Sequence, residues 1–255
     1  MTDLVKVTTS NGVMEIRLDR AEKRNALTVP MYLAMADALA AAEQDASVRV
    51  VLLCGNGESF TAGNDLKDFS NRPVQVGEPA SSQFLRRIST STRIVIAAVQ
   101  GNAVGIGTTM LLHCDFIVAA DTARLQLPFV NLGLVPEAAS SLLLPRAIGH
   151  KRAAEMFILG EAIDAATALA WGLVNRVVPA AELGTAAHAL AASIAARAPA
   201  AVRQTKALMK SKTTTVPERM AEEGAIFGAQ LKSPEFKEAA AAFFEKRKPD
   251  FSKLG

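Results

Sequence analysis

G-N-A-V-G-I-G-T-T-M-L-L-H-C-D, residues 101–115, follows an apolar run at residues 94–99 and sets Gly101, Gly105 and Gly107 ahead of a short apolar segment. Glycine permits sharp turns and close backbone approach, so the stretch predicts a buried strand, a tight turn and a helix start. N–H groups at a helix start favour negative charge, including an oxyanion that exists only partway through a reaction. A packing turn is the other reading of the same glycines, and the stretch alone does not separate the two. A dinucleotide fingerprint is excluded, because no third glycine follows Gly105 and Gly107 at the needed spacing.

Upstream, residues 48–54 are a valine- and leucine-rich run that suits a strand buried on both faces. It ends in G-N-G-E-S-F-T-A-G-N-D-L, a loop without the lysine of a phosphate-binding P-loop. Residues 5–9 and 13–18 alternate apolar and polar about Asn11-Gly12 and predict a β-hairpin. R-A-E-K-R-N-A-L, residues 20–27, is a basic loop before a helix carrying Met31, Met35, Leu39 and Ala42 on one face. Arg20, Lys23 and Arg24 there suit either a solvated surface or a phosphate grip. Residues 68–82 read as a loop and 82–92 as a helix with Phe84, Leu85 and Ile88 inward.

Downstream, residues 116–120 predict a strand, and 121–127 a turn followed by an extended piece. In P-F-V-N-L-G-L-V-P-E-A-A-S-S, Glu137 follows Pro136 and is expected to open an alanine-rich helix. A glutamate in a first helical turn ordinarily just compensates the helix dipole. Asp164 is expected to cap a helix ending at Trp171-Gly172, with a strand over 173–178. Helices are then expected over 181–197, 199–210, 217–231 and 234–246. The end of strand–helix alternation divides the chain into an α/β core, residues 1–190, and a helical region, residues 191–255.

Half of the 255 residues are hydrophobic, enough for one large core. The apolar runs are short and interrupted, and residues 1–10 lack a secretory signal pattern, so a cytoplasmic protein without a membrane span is expected. A net charge of +3 and 5% aromatics argue against nucleic acid. Cys54 and Cys114 sit in apolar runs and read as inert thiols. His113, His150 and His188 are far apart in sequence without H-E-x-x-H, so no metal site is expected. Ser140 and Ser141 lack the G-x-S-x-G elbow of a serine hydrolase.

Taken in order, R-A-E-K-R-N-A-L, F-T-A-G-N-D-L, G-N-A-V-G-I-G, C-D-F-I-V-A, L-G-L-V-P, A-W-G-L-V-N-R-V-V and F-F-E-K-R-K resemble the crotonase superfamily, the enoyl-CoA hydratase/isomerase family, along most of the chain. The resemblance implies a spiral of repeated ββα units with C-terminal helices, a trimer or hexamer, and an acyl-CoA thioester as ligand. Coenzyme A would enter as part of the substrate, with no separate cofactor. The N–H groups of Asn64 and Ile106 would hold the thioester oxygen as it becomes an enolate. Contacts to the substrate would come from Lys23, Arg24, Ala26, Leu27, Ala62, Asp65, Leu66, Gly105 and Phe129, with Phe243 and Lys246 arriving from the last helix; Lys23, Arg24 and Lys246 would face phosphates.

Hydratases of this family use two glutamates, and the matching positions here hold Thr109 and Phe129. Glu137 stands where the peroxisomal type of delta(3)-delta(2)-enoyl-CoA isomerase carries its one catalytic glutamate. The resemblance therefore implies an isomerase that moves a double bond from 3-enoyl-CoA to 2-enoyl-CoA. The alternatives are another crotonase-fold acyl-CoA reaction such as hydration, or a noncatalytic acyl-CoA-binding subunit.

Overall fold

Strands form along each of the predicted apolar runs. In the computed structural model, which describes residues 2–65, 77–212 and 215–254, β1 (Val5–Ser10) and β2 (Val13–Leu18) make an antiparallel hairpin. Asn11 and Gly12 at its tip have φ of 49° and 78°, the left-handed pair that a primed turn needs. Next to β2, β3 (Val50–Gly55), β4 (Ile94–Val99), β6 (Phe116–Ala120) and β9 (Arg176–Val178) extend the sheet as parallel neighbours in that order. A second sheet holds β5 (Asn102–Val104), β7 (Arg124–Gln126) and β8 (Ile163–Asp164), and a parallel bridge from Thr61 to Ala103 continues it.

The chain thus lays one strand in the large sheet, a short one in the small sheet, and returns through helix or turn. This is the ββα spiral implied by the resemblance. α1 (Val29–Gln44) and α2 (Ala80–Thr90) cover one face of the large sheet. α3 (Ile106–Thr109), α4 (Ser140–Ile148), α5 (His150–Ala154) and α6 (Ala165–Ala170) fill the later connections. Asp164 caps α6 as expected, accepting from the Thr167 N–H at 2.8 Å.

Alternate residues of the central strands bury into two different cores. Val51, Leu53, Val95, Ala97 and Val99 meet Tyr32, Met35 and Leu39 of α1 and Phe84 and Ile88 of α2. Val50, Leu52, Ile94, Ile96 and Val118 face Leu183, Ala187, Leu190 and Ala191 of α7 (Leu183–Ala195). Burial on both faces explains why these strands read as unbroken apolar runs. It also bears on the division drawn near residue 190, which falls inside α7, a helix that forms the outer layer of the core. Packing against the sheet continues past Ala195, since Val202 also lies against this cluster.

α8 (Pro199–Lys210), α9 (Val216–Gln230) and α10 (Pro234–Phe244) follow. Glu235, buried in the first turn of α10, accepts the Ala200 and Ala201 N–H groups at 2.7 and 3.1 Å, where a helix start favours a carboxylate. Lys206 of α8 donates to Asp115 at 2.6 Å and to the Arg93 carbonyl at 2.5 Å, and Asp115 also accepts the Val95 N–H at 2.8 Å. Among the described residues no helix is long and apolar enough to cross a membrane. The loop expected over 68–82 gives way to α2 at Ala80; residues 68–76 lie outside the described residues.

Candidate active site

Asn25 decides how the basic loop meets the loop after β3. It is fully buried with φ of 54°, a left-handed conformation that asparagine tolerates better than most residues. Its Nδ2 donates to the Asn56 and Ser59 carbonyls at 2.9 and 2.8 Å, and its Oδ1 accepts the Arg20 N–H at 2.9 Å. The Thr61 hydroxyl donates to the Asn25 carbonyl at 2.7 Å. Asn25→Ala strands these carbonyls, so it is expected to cost about 1–3 kcal/mol, read as a lower urea midpoint. Because residues 20–27 lose their anchor, weaker binding of the acyl-CoA ligand that the resemblance implies is expected as well.

Beyond Asn25 the two loops pair as a short parallel bridge. The Leu27 N–H donates to the Gly63 carbonyl at 2.8 Å and the Asp65 N–H to the Leu27 carbonyl at 2.9 Å. In a parallel bridge the residue between those two bonds turns its own N–H to the other side, and that residue is Asn64. Its Oδ1 accepts the Tyr32 hydroxyl at 2.6 Å, which fixes the side chain while leaving the backbone donor free of it.

Ile106 supplies the second candidate donor. It opens α3, so its N–H lacks an intrahelical carbonyl by the geometry of helix starts. Gly105 before it has φ of 57° and ψ of −116°, a region that L side chains avoid. A Cβ there would meet nothing within 4 Å, so this backbone borders open space. At Gly101 a Cβ would instead strike the Glu58 carbonyl oxygen; glycine lets the loop after β3 lie against the corner between β4 and β5. The Thr61 N–H to Asn102 and Val104 N–H to Thr61 bonds, 3.0 and 3.1 Å, then hold the two segments side by side. Asn64 stands three residues past Thr61 and Ile106 three past Ala103, so the two donors leave a common bridge at the same offset.

Glu137 is brought to this place by Thr109, whose hydroxyl donates to Glu137 Oε1. Thr109 lies three residues after Ile106, so the two share one side of α3. Burial pushes the Glu137 carboxyl above the ordinary glutamate range, and the Thr109 bond pulls it partly back. The expected helix does not begin at Glu137. Ala138 and Ala139 have φ of 57° and 55°, and α4 starts at Ser140. The left-handed pair turns the chain so that the carboxylate points inward instead of lying along a helix surface. His113 Nε2 bonds the Ala138 carbonyl at 2.9 Å, Ser140 Oγ donates to the Glu137 carbonyl at 2.6 Å, and the Leu142 and Leu143 N–H groups bond the Ala139 carbonyl at 3.0 Å. Nothing in the A-A dipeptide signals this turn; Tyr32, Asn25 and His113 likewise carry no sequence pattern that marks them as supports.

The remaining candidates differ in burial and partners. Lys23 and Arg24 are exposed, Ala26 and Ala62 half-buried and Leu27 buried along the paired loops. Asp65 is ion-paired with Arg20 at 2.7 Å, and Arg20 also holds the Ala26 carbonyl at 2.9 Å. That pair is a brace for the loop, which distinguishes Arg20 from its exposed neighbours. Phe129 is buried in the core cluster that contains Ile106 and Leu127. Leu66 lies outside the described residues. Phe243 and Lys246 are exposed; Phe243 stacks edge-on against Phe244 with ring centroids 5.7 Å apart. No hydrogen bond, ion pair or ring contact joins either to residues 23–27 among the described residues. Burial pushes the Cys54 and Cys114 thiols up to about 12, and no group of three metal-ligating side chains occurs among the described residues.

A family model for enoyl-CoA hydratase/isomerase matches residues 8–253. The 2,3-dehydroadipyl-CoA hydratase of Escherichia coli K12 is 32% identical over 98% of this chain and 99% of its own length. The 1,2-epoxyphenylacetyl-CoA isomerase of the same strain is 31% identical over 99% of both. Among solved structures, a Magnetospirillum magneticum AMB-1 protein named for enoyl-CoA hydratase/carnithine racemase is 44% identical, with a TM-score of 0.96 over 99% of this chain and 100% of that one. Hydratase and isomerase names both occur, and the chain belongs to the enoyl-CoA hydratase/isomerase family of the crotonase superfamily.

Proposed function

We propose that this enzyme shifts the double bond of a 3-enoyl-CoA to the 2 position, with Glu137 as its single acid–base group. The observation that carries the reading is the Thr109–Glu137 hydrogen bond, which sets a carboxyl one turn from the Ile106 N–H. The Asn64 and Ile106 N–H groups would receive the thioester oxygen. As charge moves onto that oxygen, fixed donors in a dry site stabilise it; one such donor is typically worth about 2.7–4 kcal/mol. The proton at C2 then becomes acidic enough for a carboxylate. Glu137 takes it, the pair of electrons enters a dienolate, and the same carboxyl returns the proton at C4. The raised affinity of Glu137 for protons brings the base nearer to the acidity of that carbon.

Thr109 and Phe129 support isomerisation over hydration, since neither side chain can hold and deliver the proton that water addition requires. Phe129 and Ile106 belong to one apolar cluster, which favours a dry site. Lys23 and Arg24 would meet the phosphates of coenzyme A. We further propose self-association, because Val135, Ile158, Phe243 and Phe244 are 79%, 64%, 79% and 81% exposed, more apolar surface than a solitary chain normally presents. A second copy would be the source of Phe243 and Lys246 at the site. A chain-length panel of 3-enoyl- and 2-enoyl-CoA thioesters tests the reading: double-bond migration should exceed water addition, and the reverse order would replace isomerase by hydratase.

A further inference from the structure

The two oxygens of the Glu137 carboxylate are not equivalent. Oε1 accepts the Thr109 hydroxyl, whereas Oε2 has no hydrogen-bond partner among the described residues. It is not sealed either, because among the described residues the one fully enclosed side-chain polar atom without a partner is Thr28 Oγ1. Oε2 therefore opens on accessible space. Thr109 itself is fully buried and its hydroxyl has one proton; the competing acceptor, the Ile106 carbonyl, is 3.5 Å away, at the limit of a useful bond. The hydroxyl is thus committed to Oε1.

We propose that Thr109 is a positioning residue that holds Oε1 and so makes Oε2 the one oxygen that carries the proton from C2 to C4. The assignment rests on Glu137 being the base of the isomerisation. In the first step the C2–H bond breaks, its electron pair enters the dienolate, and the proton forms a bond to Oε2. In the second the dienolate forms a C4–H bond with that proton, the C3–C4 double bond moves to C2–C3, and Oε2 is an anion again. Throughout, Oε1 still accepts from Thr109, as a carboxylate oxygen in the resting state and as the carbonyl oxygen of the acid between the steps. A carboxyl tethered in both states keeps Oε2, and the proton it has taken, in one orientation until the proton is returned.

Among the described residues the influences on the Glu137 carboxyl are burial and Thr109. His113, which reaches this loop from the 3-10 turn after α3, is engaged with the Ala138 carbonyl. Removing the Thr109 donor takes away the stabilisation of the ionised form, so the acid limb of the kcat–pH profile should move to higher pH.

The experiment compares Thr109→Val and Thr109→Ser with the unaltered enzyme and with Glu137→Gln, on a 3-enoyl-CoA deuterated at C2. Thr109→Val should lower kcat about 10- to 100-fold with little change in KM, move the acid limb up, and lower the fraction of label returned to C4. Thr109→Ser should restore all three. A Thr109→Val enzyme with an unmoved acid limb and unchanged label return overturns the assignment, as does failure of Thr109→Ser to rescue. If Thr109→Val folds poorly, Thr109→Ala against Thr109→Ser gives the same contrast. An active Glu137→Gln enzyme overturns the isomerase reading itself, whereas an inactive one beside an unaffected Thr109→Val overturns only the role of Thr109.

Discussion

Glu137→Gln is expected to lower turnover of a 3-enoyl-CoA by about 10²–10⁴-fold, the usual contribution of a positioned acid–base group. The amide is nearly isosteric and can still accept from Thr109 through its carbonyl oxygen, so thioester binding should persist. Stopped-flow or coupled absorbance at saturating substrate separates the two effects: kcat falls while the dissociation constant for a nonreactive acyl-CoA stays near that of the parent. A variant that keeps full activity removes Glu137 from the chemistry. The pH dependence follows from the same residue. Activity requires the ionised base, so it is lost as pH falls through the Glu137 value, which burial places above the ordinary glutamate range. Stability runs the other way. The folded protein binds this proton more tightly than the unfolded chain, so ionising Glu137 costs stability as pH rises from the unfolded toward the folded value. Glu137→Gln should abolish that part of the slope.

Lys206→Met is expected to destabilise the protein by about 3–5 kcal/mol, the usual cost of breaking a buried ion pair. At about 2–4 °C per kcal/mol for a chain of this size, the melting temperature should fall by roughly 6–20 °C. The reason is what remains behind. Lys206 is 2% exposed, and burial holds its ammonium below the ordinary lysine range despite Asp115 beside it, so desolvation outweighs the attraction. The pair contributes little net stability as a pair, yet either half alone is an uncompensated buried charge. Lys206→Met with Asp115→Asn should therefore recover part of the loss, since the amide oxygen still accepts the Val95 N–H. A single variant that melts with the parent would show that Asp115 finds water or another cation.

β3, β4 and β6 of the large sheet were legible because they are buried on both faces, which writes them as unbroken apolar runs, and the β1–β2 hairpin because it alternates about Asn11-Gly12. The small sheet was not, because its strands are two or three residues long and carry no period; only the extended piece before Leu127 hinted at it. The glycines at 101 and 105 pointed correctly to a tight corner and a helix start. The position of Glu137 could be carried over only by resemblance: its local sequence reads as a helix opening, and two left-handed alanines held by His113 and Ser140 overrule that preference. Asp65 has a role that the motif did not signal: its carboxylate braces Arg20.

α7 has a consequence for synthesis on the ribosome. When the chain has been made as far as Val178, all strands of the large sheet exist, but Val50, Leu52, Ile94, Ile96 and Val118 have no cover on their outer side. The helix that covers them is encoded afterwards, more than a hundred residues beyond β3, and the contacts it makes are among the most distant in sequence. Until it emerges, the nascent sheet exposes a sticky face, which is the situation in which chaperones are needed and aggregation begins. Premature stops before Ala195 should yield insoluble chains, even though they contain Asn64, Ile106, Thr109 and Glu137.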